Sequence, residues 1–162
     1  WLNGEHIRRL DPQKFHELAL KYYPEGVRHL DLEKISRLIQ IRIERFTEIP
    51  TMVKFLYELP DYDPALFENP KSKSTLQSSR EILQEVIPLL EGMQEWTNES
   101  LFTALKDFAS AHGYKIGTVM WPIRTALSGQ FASPGGATEL ADLLGKDETL
   151  RRLKIGLAKL QP

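Results

Sequence analysis

The sequence predicts an all-α protein built as two helical subdomains. Three observations predict it. Apolar residues recur at three- and four-residue spacing along most of the chain, and no stretch shows the strict alternation of a half-buried strand. The apolar runs are bracketed by helix-start and helix-stop residues, such as Asp11-Pro12 and Gly129. With 162 residues and 41% apolar content, the chain can bury a core, which argues against wholesale disorder.

Residues 1–10 read as a short helical lead-in, with Leu2, Ile7 and Leu10 facing a core. Asp11 caps the next helix and Pro12 occupies its first turn. Phe15, Leu18, Ala19 and Tyr22 form its stripe, and Pro24-Glu-Gly26 ends it. Asp31 caps a longer helix whose apolar residues, Leu32, Ile35, Leu38, Ile39, Ile43, Phe46 and Ile49, make one broad face. Lys34, Arg37 and Arg45 lie opposite that face, with Arg42 at its border. After Pro50, residues 51–59 give one more short helix with Val53, Leu56 and Leu59 inward.

Residues 60–74 hold three prolines, several acids and Lys71-Ser-Lys-Ser74, and read as a solvated linker. The domain boundary is therefore expected near residue 73, giving subdomains 1–73 and 74–162. Helix returns at Leu76, with Ile82, Leu83, Val86, Ile87 and Leu90 in register and a kink or break expected at Pro88. Thr97 caps a helix with Leu101, Leu105, Phe108 and Ala109 inward, Trp96 stapling onto Leu101, and Gly113 as the stop. The next helix spans residues 116–128, its regular part starting at Pro122, and ends at Gly129. Ser133 is then the expected cap of a new helix with Pro134 in its first turn, and residues 138–144 are helical. Asp147 caps the last helix, with Leu150, Leu153, Leu157 and Leu160 on one stripe. No fixed-period repeat or long heptad run points to a solenoid or a coiled coil.

Composition excludes several function classes. The net charge is −1, and neither half is basic, so any nucleic-acid contact must come from a local patch. There is no cysteine, hence no disulfide, thiolate nucleophile or zinc-thiolate site, which fits a cytosolic setting. No run approaches the ~20 apolar residues that cross a bilayer. His6, His16, His29 and His112 never fall four residues apart on a helix, and no carboxylate cluster accompanies them, so a metal site is not expected. No nucleophile elbow or strand-preceded phosphate loop is present. The chain opens on Trp1 rather than methionine, which reads as a piece of a longer protein.

One stretch carries a specific signal. Pro122-Ile-Arg-Thr-Ala-Leu-Ser-Gly129, then Ser133-Pro134, Leu143-Leu-Gly-Lys146 and Leu150-Arg-Arg-Leu153, resembles the C-terminal anticodon-binding region of bacterial glutamyl-tRNA synthetases. Asn3-Gly-Glu-His-Ile-Arg8 is similar to the segment that leads from the catalytic part of that family into its helical part. The resemblance covers nearly the whole chain, most sharply residues 32–49 and 121–153.

It implies a tRNA-binding region without a catalytic domain. ATP and Mg²⁺ would act in the missing part of the parent, and this chain would hold no cofactor of its own. The implied partners are the anticodon loop of tRNA(Glu) and the parent's own catalytic domain, for a cytoplasmic monomer with no membrane contact. The implied site residues are Arg45, Arg124, Ser133, Pro134, Gly135 and Gly136. Arg45, within Arg45-Phe-Thr-Glu48, matches the position where the family reads the third anticodon base. Glutamate anticodons end in cytosine, whose O2 and N3 accept from a donor-only guanidinium. Glutamine anticodons end in guanine, whose N1 and N2 are donors, so an arginine there leaves polar groups unpaired at a cost of ~1–3 kcal/mol. A glutamate-specific form follows. Arg124 and the Ser133–Gly136 loop would meet the first anticodon base or a nearby phosphate. Gly136 stands where the family pattern has a bulkier apolar residue.

Each residue also has a plainer reading. Arg45 could complement a helix C-terminus, and Arg124 could sit in a surface ion pair worth little. Trp96 and Trp121 are expected in core or staple roles rather than as stacking platforms. Arg8 and Arg9 divide evenly between a tRNA-backbone contact and a solvated face. Arg151, Arg152 and Lys154, the densest basic run, are expected as surface charge. Lys71-Ser-Lys-Ser74 resembles the ATP-stabilising loop of class I synthetases, but lacks its methionine and any strand-helix context, and His-x-Gly-His is absent. The alternative function is a helical protein–protein interaction module with no RNA role.

Overall fold

The computed structural model describes residues 3–162. Leu2, expected in the core, lies outside the described residues. The chain divides into two compact units, residues 1–59 and 60–162.

The first unit holds four short α-helices joined by 3₁₀ turns: α1 (Gly4–Arg9), α2 (Pro12–Ala19), α3 (Leu32–Ile39) and α4 (Ile49–Val53). Asn3 caps α1 by accepting the His6 N–H at 3.0 Å, and Asp11 caps α2 by accepting from Gln13 and Lys14. Ile7, Phe15, Ala19, Ile35, Ile39, Ile43, Ile49 and Val53 form the core. Residues 20–22 tighten into a 3₁₀ turn, which rotates Tyr23 inward and leaves Tyr22 only half-buried.

The long helix expected over residues 32–49 is broken. α3 stops at Ile39, and the chain turns before a 3₁₀ segment at Phe46–Glu48 leads into α4. Gln40 explains the break: its side-chain amide donates to the carbonyls of Ile7 (3.0 Å) and Leu10 (2.9 Å) at the end of α1. The Ile7 carbonyl also accepts the Leu10 N–H at 3.2 Å, so the Gln40 amide gives it a second bond and serves the Leu10 carbonyl as well. The turn still delivers Ile43 and Ile49 to the core. Pro50 sits in the first turn of α4, where its missing N–H costs nothing, so that helix starts before the proline.

The second unit packs five helices: α5 (Leu76–Glu91), α6 (Asn98–His112), α7 (Ile116–Ser128), α8 (Ala137–Leu144) and α9 (Lys146–Leu160). α7 contacts each of the other four, α5 also packs on α9, and α6 on α8. Thr75 and Thr97 form reciprocal caps with Ser78 and Ser100. Gly113 and Gly129 end α6 and α7 in left-handed geometry, at φ 73° and 63°. Leu101, Leu105, Phe108 and Ala109 are buried as expected. α5 continues through Pro88 in its last turn, and α7 continues through buried Pro122, so neither proline begins or ends a helix.

The stretch at residues 60–74 is a packed strap belonging to the second unit, not a solvated linker. Tyr62 and Phe67 are buried, Trp121 donates its indole N–H to Leu66 at 3.1 Å, and Thr118 donates to the Ser72 carbonyl at 2.6 Å. These contacts draw the join between units back from the expected residue 73 to Leu59–Pro60. Among the described residues the only extended pairing is the Asn69–Ser74 bridge.

Two caps differ from expectation. α8 is capped at Gly136, whose N–H donates to Glu139 at 2.9 Å, and α9 follows Gly145, with Asp147 in its first turn. On α9 the most buried positions are Thr149, Arg152, Leu153 and Gly156. Arg152, expected on the surface, is 1% exposed. Its guanidinium donates to the Leu127 carbonyl at 2.7 Å, near the end of α7, and to Glu148 at 2.7 Å. It therefore caps a helix that lies 25 residues away in sequence.

Candidate nucleic-acid interface

In the first unit, Arg45 stands on the turn between α3 and α4. Its backbone is extended, at φ −144° and ψ 145°, and its side chain is exposed. The turn is anchored on both sides. Ile43 is fully buried behind it. Phe46 stacks on Phe15 with centroids 5.5 Å apart and on Tyr22 at 5.6 Å. Two carboxylates flank Arg45, and both are engaged elsewhere. Glu44 pairs with Arg8 at 3.2 Å, while one oxygen of Glu48 accepts the N–H groups of Glu44 (2.6 Å) and Arg45 (2.9 Å). Among the described residues the Arg45 guanidinium has no protein partner. Arg45 is not at the C-terminus of a helix, so the macrodipole account of it fails.

In the second unit, Arg124 projects from α7 toward the loop that precedes α8. Its guanidinium donates to the Ser133 hydroxyl at 2.7 Å and to the Phe131 carbonyl, and lies 4.7 Å from the Trp121 ring centroid. Phe131 meets Trp121 edge-on at 5.5 Å and is 65% exposed. Ser133 is not a helix cap. It is buried, and its hydroxyl, held by Arg124, donates to the Gly135 carbonyl at 3.2 Å. Pro134 is buried beside it, and Gly135 turns the chain at φ 86°, a conformation that favours glycine. Gly136 follows in an extended conformation, and a Cβ there would meet only Glu139, at 3.7 Å.

These elements border an open groove of about 510 Å³, whose wall includes Phe102, Met120, Trp121, Arg124 and Gly136. It is mainly apolar, with the Arg124 guanidinium and the Glu139 carboxylate in its wall, the latter accepting the Gly136 N–H at 2.9 Å. A flat aromatic group with polar edges suits such a surface. Of the six residues singled out in the sequence, Arg124, Ser133 and Gly135 form one hydrogen-bonded chain, with Pro134 and Gly136 beside them, whereas Arg45 belongs to the other unit. Sequence reasoning missed Phe102 and Phe131. Both are large apolar residues off the buried stripes, and that was the available signal.

Trp96 donates its indole N–H to Ala141 at 2.9 Å, so its role is to tie the chain before α6 to α8. Trp121 is likewise anchored, yet keeps a face for Arg124. Arg9 pairs with Glu5 at 2.6 Å, and Arg151 with Glu148 at 2.7 Å. Hydrogen bonds to Glu148 from Arg151, and then from Arg152, hold its carboxyl down to about 2 against partial burial. Lys71-Ser-Lys-Ser74 does not fit a nucleotide. Its turn is closed by the Asn69–Ser74 bridge, and the Ser72 and Ser74 hydroxyls bond each other at 3.2 Å. Among the described residues no cluster could hold a metal ion, and no helix is long and apolar enough to cross a membrane.

Among the described residues the regular structure is helical apart from the Asn69–Ser74 bridge, which defines an all-helical class of domain with an aromatic-arginine groove beside a glycine loop. The chain belongs to the anticodon binding domain family, whose pattern matches residues 14–157. It is 44% identical to the glutamate–tRNA ligase of Clostridium acetobutylicum, over 99% of this chain and 34% of that protein. It is 46% identical to that of Clostridium botulinum strain Hall, over 99% and 33%. The chain thus spans about a third of the curated relatives it matches. A crystal structure of a glutamate tRNA ligase from Elizabethkingia meningosepticum, in complex with its amino acid, has the same fold, with TM-score 0.78 and 21% identity over 98% of this chain and 31% of that one.

Proposed function

We propose that this chain is the anticodon-binding region of a glutamate–tRNA ligase and selects tRNA(Glu) by its anticodon loop, in the cytoplasm. The observation that carries the reading is the groove beside Trp121, Arg124 and Gly136, a mainly apolar surface with a guanidinium edge that can take an unstacked base. Anticodon loops splay their bases, which is the form of RNA that proteins read by sequence. Arg45, exposed and without a protein partner among the described residues, reads the third anticodon base as cytosine. Arg124 and the Ser133–Gly136 loop receive the first base. ATP-dependent activation of glutamate belongs to the other two-thirds of such a protein, and no step of it runs through these residues.

The test is a titration of this chain with a tRNA(Glu) anticodon stem-loop and with the same loop carrying guanine as third anticodon base. Tighter binding of the cytosine loop, weakening steeply with salt, is expected. Arg45→Gln removes the preference. Equal binding of both loops by the unsubstituted chain overturns tRNA(Glu) selection. Absence of binding at low salt leaves a helical protein-interaction module as the better account.

A further inference from the structure

We propose that Glu48 is a positioning residue for third-base discrimination, acting through Arg45. The inference rests on the reading of Arg45 given above.

Arginine is long and flexible, and a flexible donor discriminates poorly between base edges unless its backbone is fixed. The turn at residues 40–45 has no helix to fix it. Instead, a single oxygen of Glu48 accepts both the Glu44 and the Arg45 N–H, at 2.6 and 2.9 Å. These are charge-assisted bonds to adjacent backbone groups, so they set the direction in which the Arg45 side chain leaves the turn. The same contact has a second consequence. Glu48 is close enough in sequence to neutralise Arg45, but its bound oxygen is turned onto the main chain, and Glu44 is drawn off by Arg8 at 3.2 Å. The guanidinium therefore keeps its donors for a base. Glu48 needs no contact with RNA to do this.

Only one acceptor oxygen is required, so a carboxamide can replace the carboxylate. Glu48→Gln is expected to keep the ratio of affinities for the cytosine and guanine loops within about twofold of the unsubstituted chain. Glu48→Ala is expected to reduce that ratio about tenfold, as Arg45→Gln does, because the two substitutions remove one function. In an Arg45→Gln background, Glu48→Ala should change the ratio no further. Circular dichroism verifies folding, and Glu48→Asp, whose carboxylate is one methylene shorter, replaces Glu48→Ala if that variant does not fold. A full ratio in folded Glu48→Ala or Glu48→Asp, while Arg45→Gln loses it, overturns the role of Glu48 and leaves the anticodon reading standing. A further fall in the Arg45→Gln background overturns action through Arg45. Equal binding of both loops by the unsubstituted chain overturns both.

Discussion

Arg45 and Arg124 are the two arginines that the sequence singles out, and the fold treats them in opposite ways. Arg124 is committed within the protein to Ser133, to Phe131 and to the face of Trp121. Arg45 has two carboxylate neighbours and pairs with neither. The first arginine shapes a loop, and on the proposed reading its contribution to recognition is largely the surface that it organises. The second is left to make its hydrogen bonds with something else. Arg152 extends the comparison to its limit, a guanidinium wholly absorbed into the core. Position in sequence does not separate these roles, since Arg151, the neighbour of Arg152, is an exposed ion-paired residue.

Stability measurements can break that ordering. Arg152→Ala removes the buried donor to Leu127 and strips Glu148 of one partner, and should cost about 3 kcal/mol in urea unfolding. Arg124→Ala should cost about 1–2 kcal/mol and weaken stem-loop binding to similar extents whichever base is third. Arg45→Gln should change stability by less than about 0.5 kcal/mol, because no described residue loses a partner. If Arg45→Gln destabilises as much as Arg124→Ala, the contrast between a committed and an available arginine is wrong.

Acid titration sharpens the same comparison. Glu148 titrates at about 2 in the folded chain, below its ordinary value of 4.5. A depressed folded value stabilises the native state above pH 4.5, and that contribution is lost as pH falls from 4.5 toward about 2. Glu148→Gln should therefore flatten the loss of stability across that window, as read by thermal melts at successive pH values. A comparably small effect is expected at Lys73, whose φ of 55° lies in the left-handed region at an exposed position of the strap. Lys73→Gly should raise stability by no more than about 1 kcal/mol, since relief of strain is offset by a freer unfolded chain.

Much of the fold was legible. Asp11, Asp31 and Thr97 cap the helices that they precede, and Gly113 and Gly129 stop theirs. These signals act over three or four residues and hold whatever surrounds them. The site was legible in part. Arg124 and the Ser133–Gly136 loop stood out as a unit, and they form one. The hydrogen bond from Arg124 to Ser133 was not readable, and a serine before a proline looked like a cap.

Local pattern was enough for the helical class and for the core stripes of α5 and α6. Tertiary structure decided the rest, because the deciding contacts lie far apart in sequence. Gln40 ends α3 by bonding carbonyls 30 and 33 residues away, which puts Arg45 on an extended turn instead of a helix. Arg152 leaves the surface because the α7 terminus, 25 residues earlier, needs a donor. The prolines and acids of residues 60–74 looked like a linker until Trp121 and Thr118 supplied donors for their carbonyls. Periodicity reports which side of a helix is apolar; it does not report which distant backbone group lacks a partner, and in this chain such groups decide how each arginine is used.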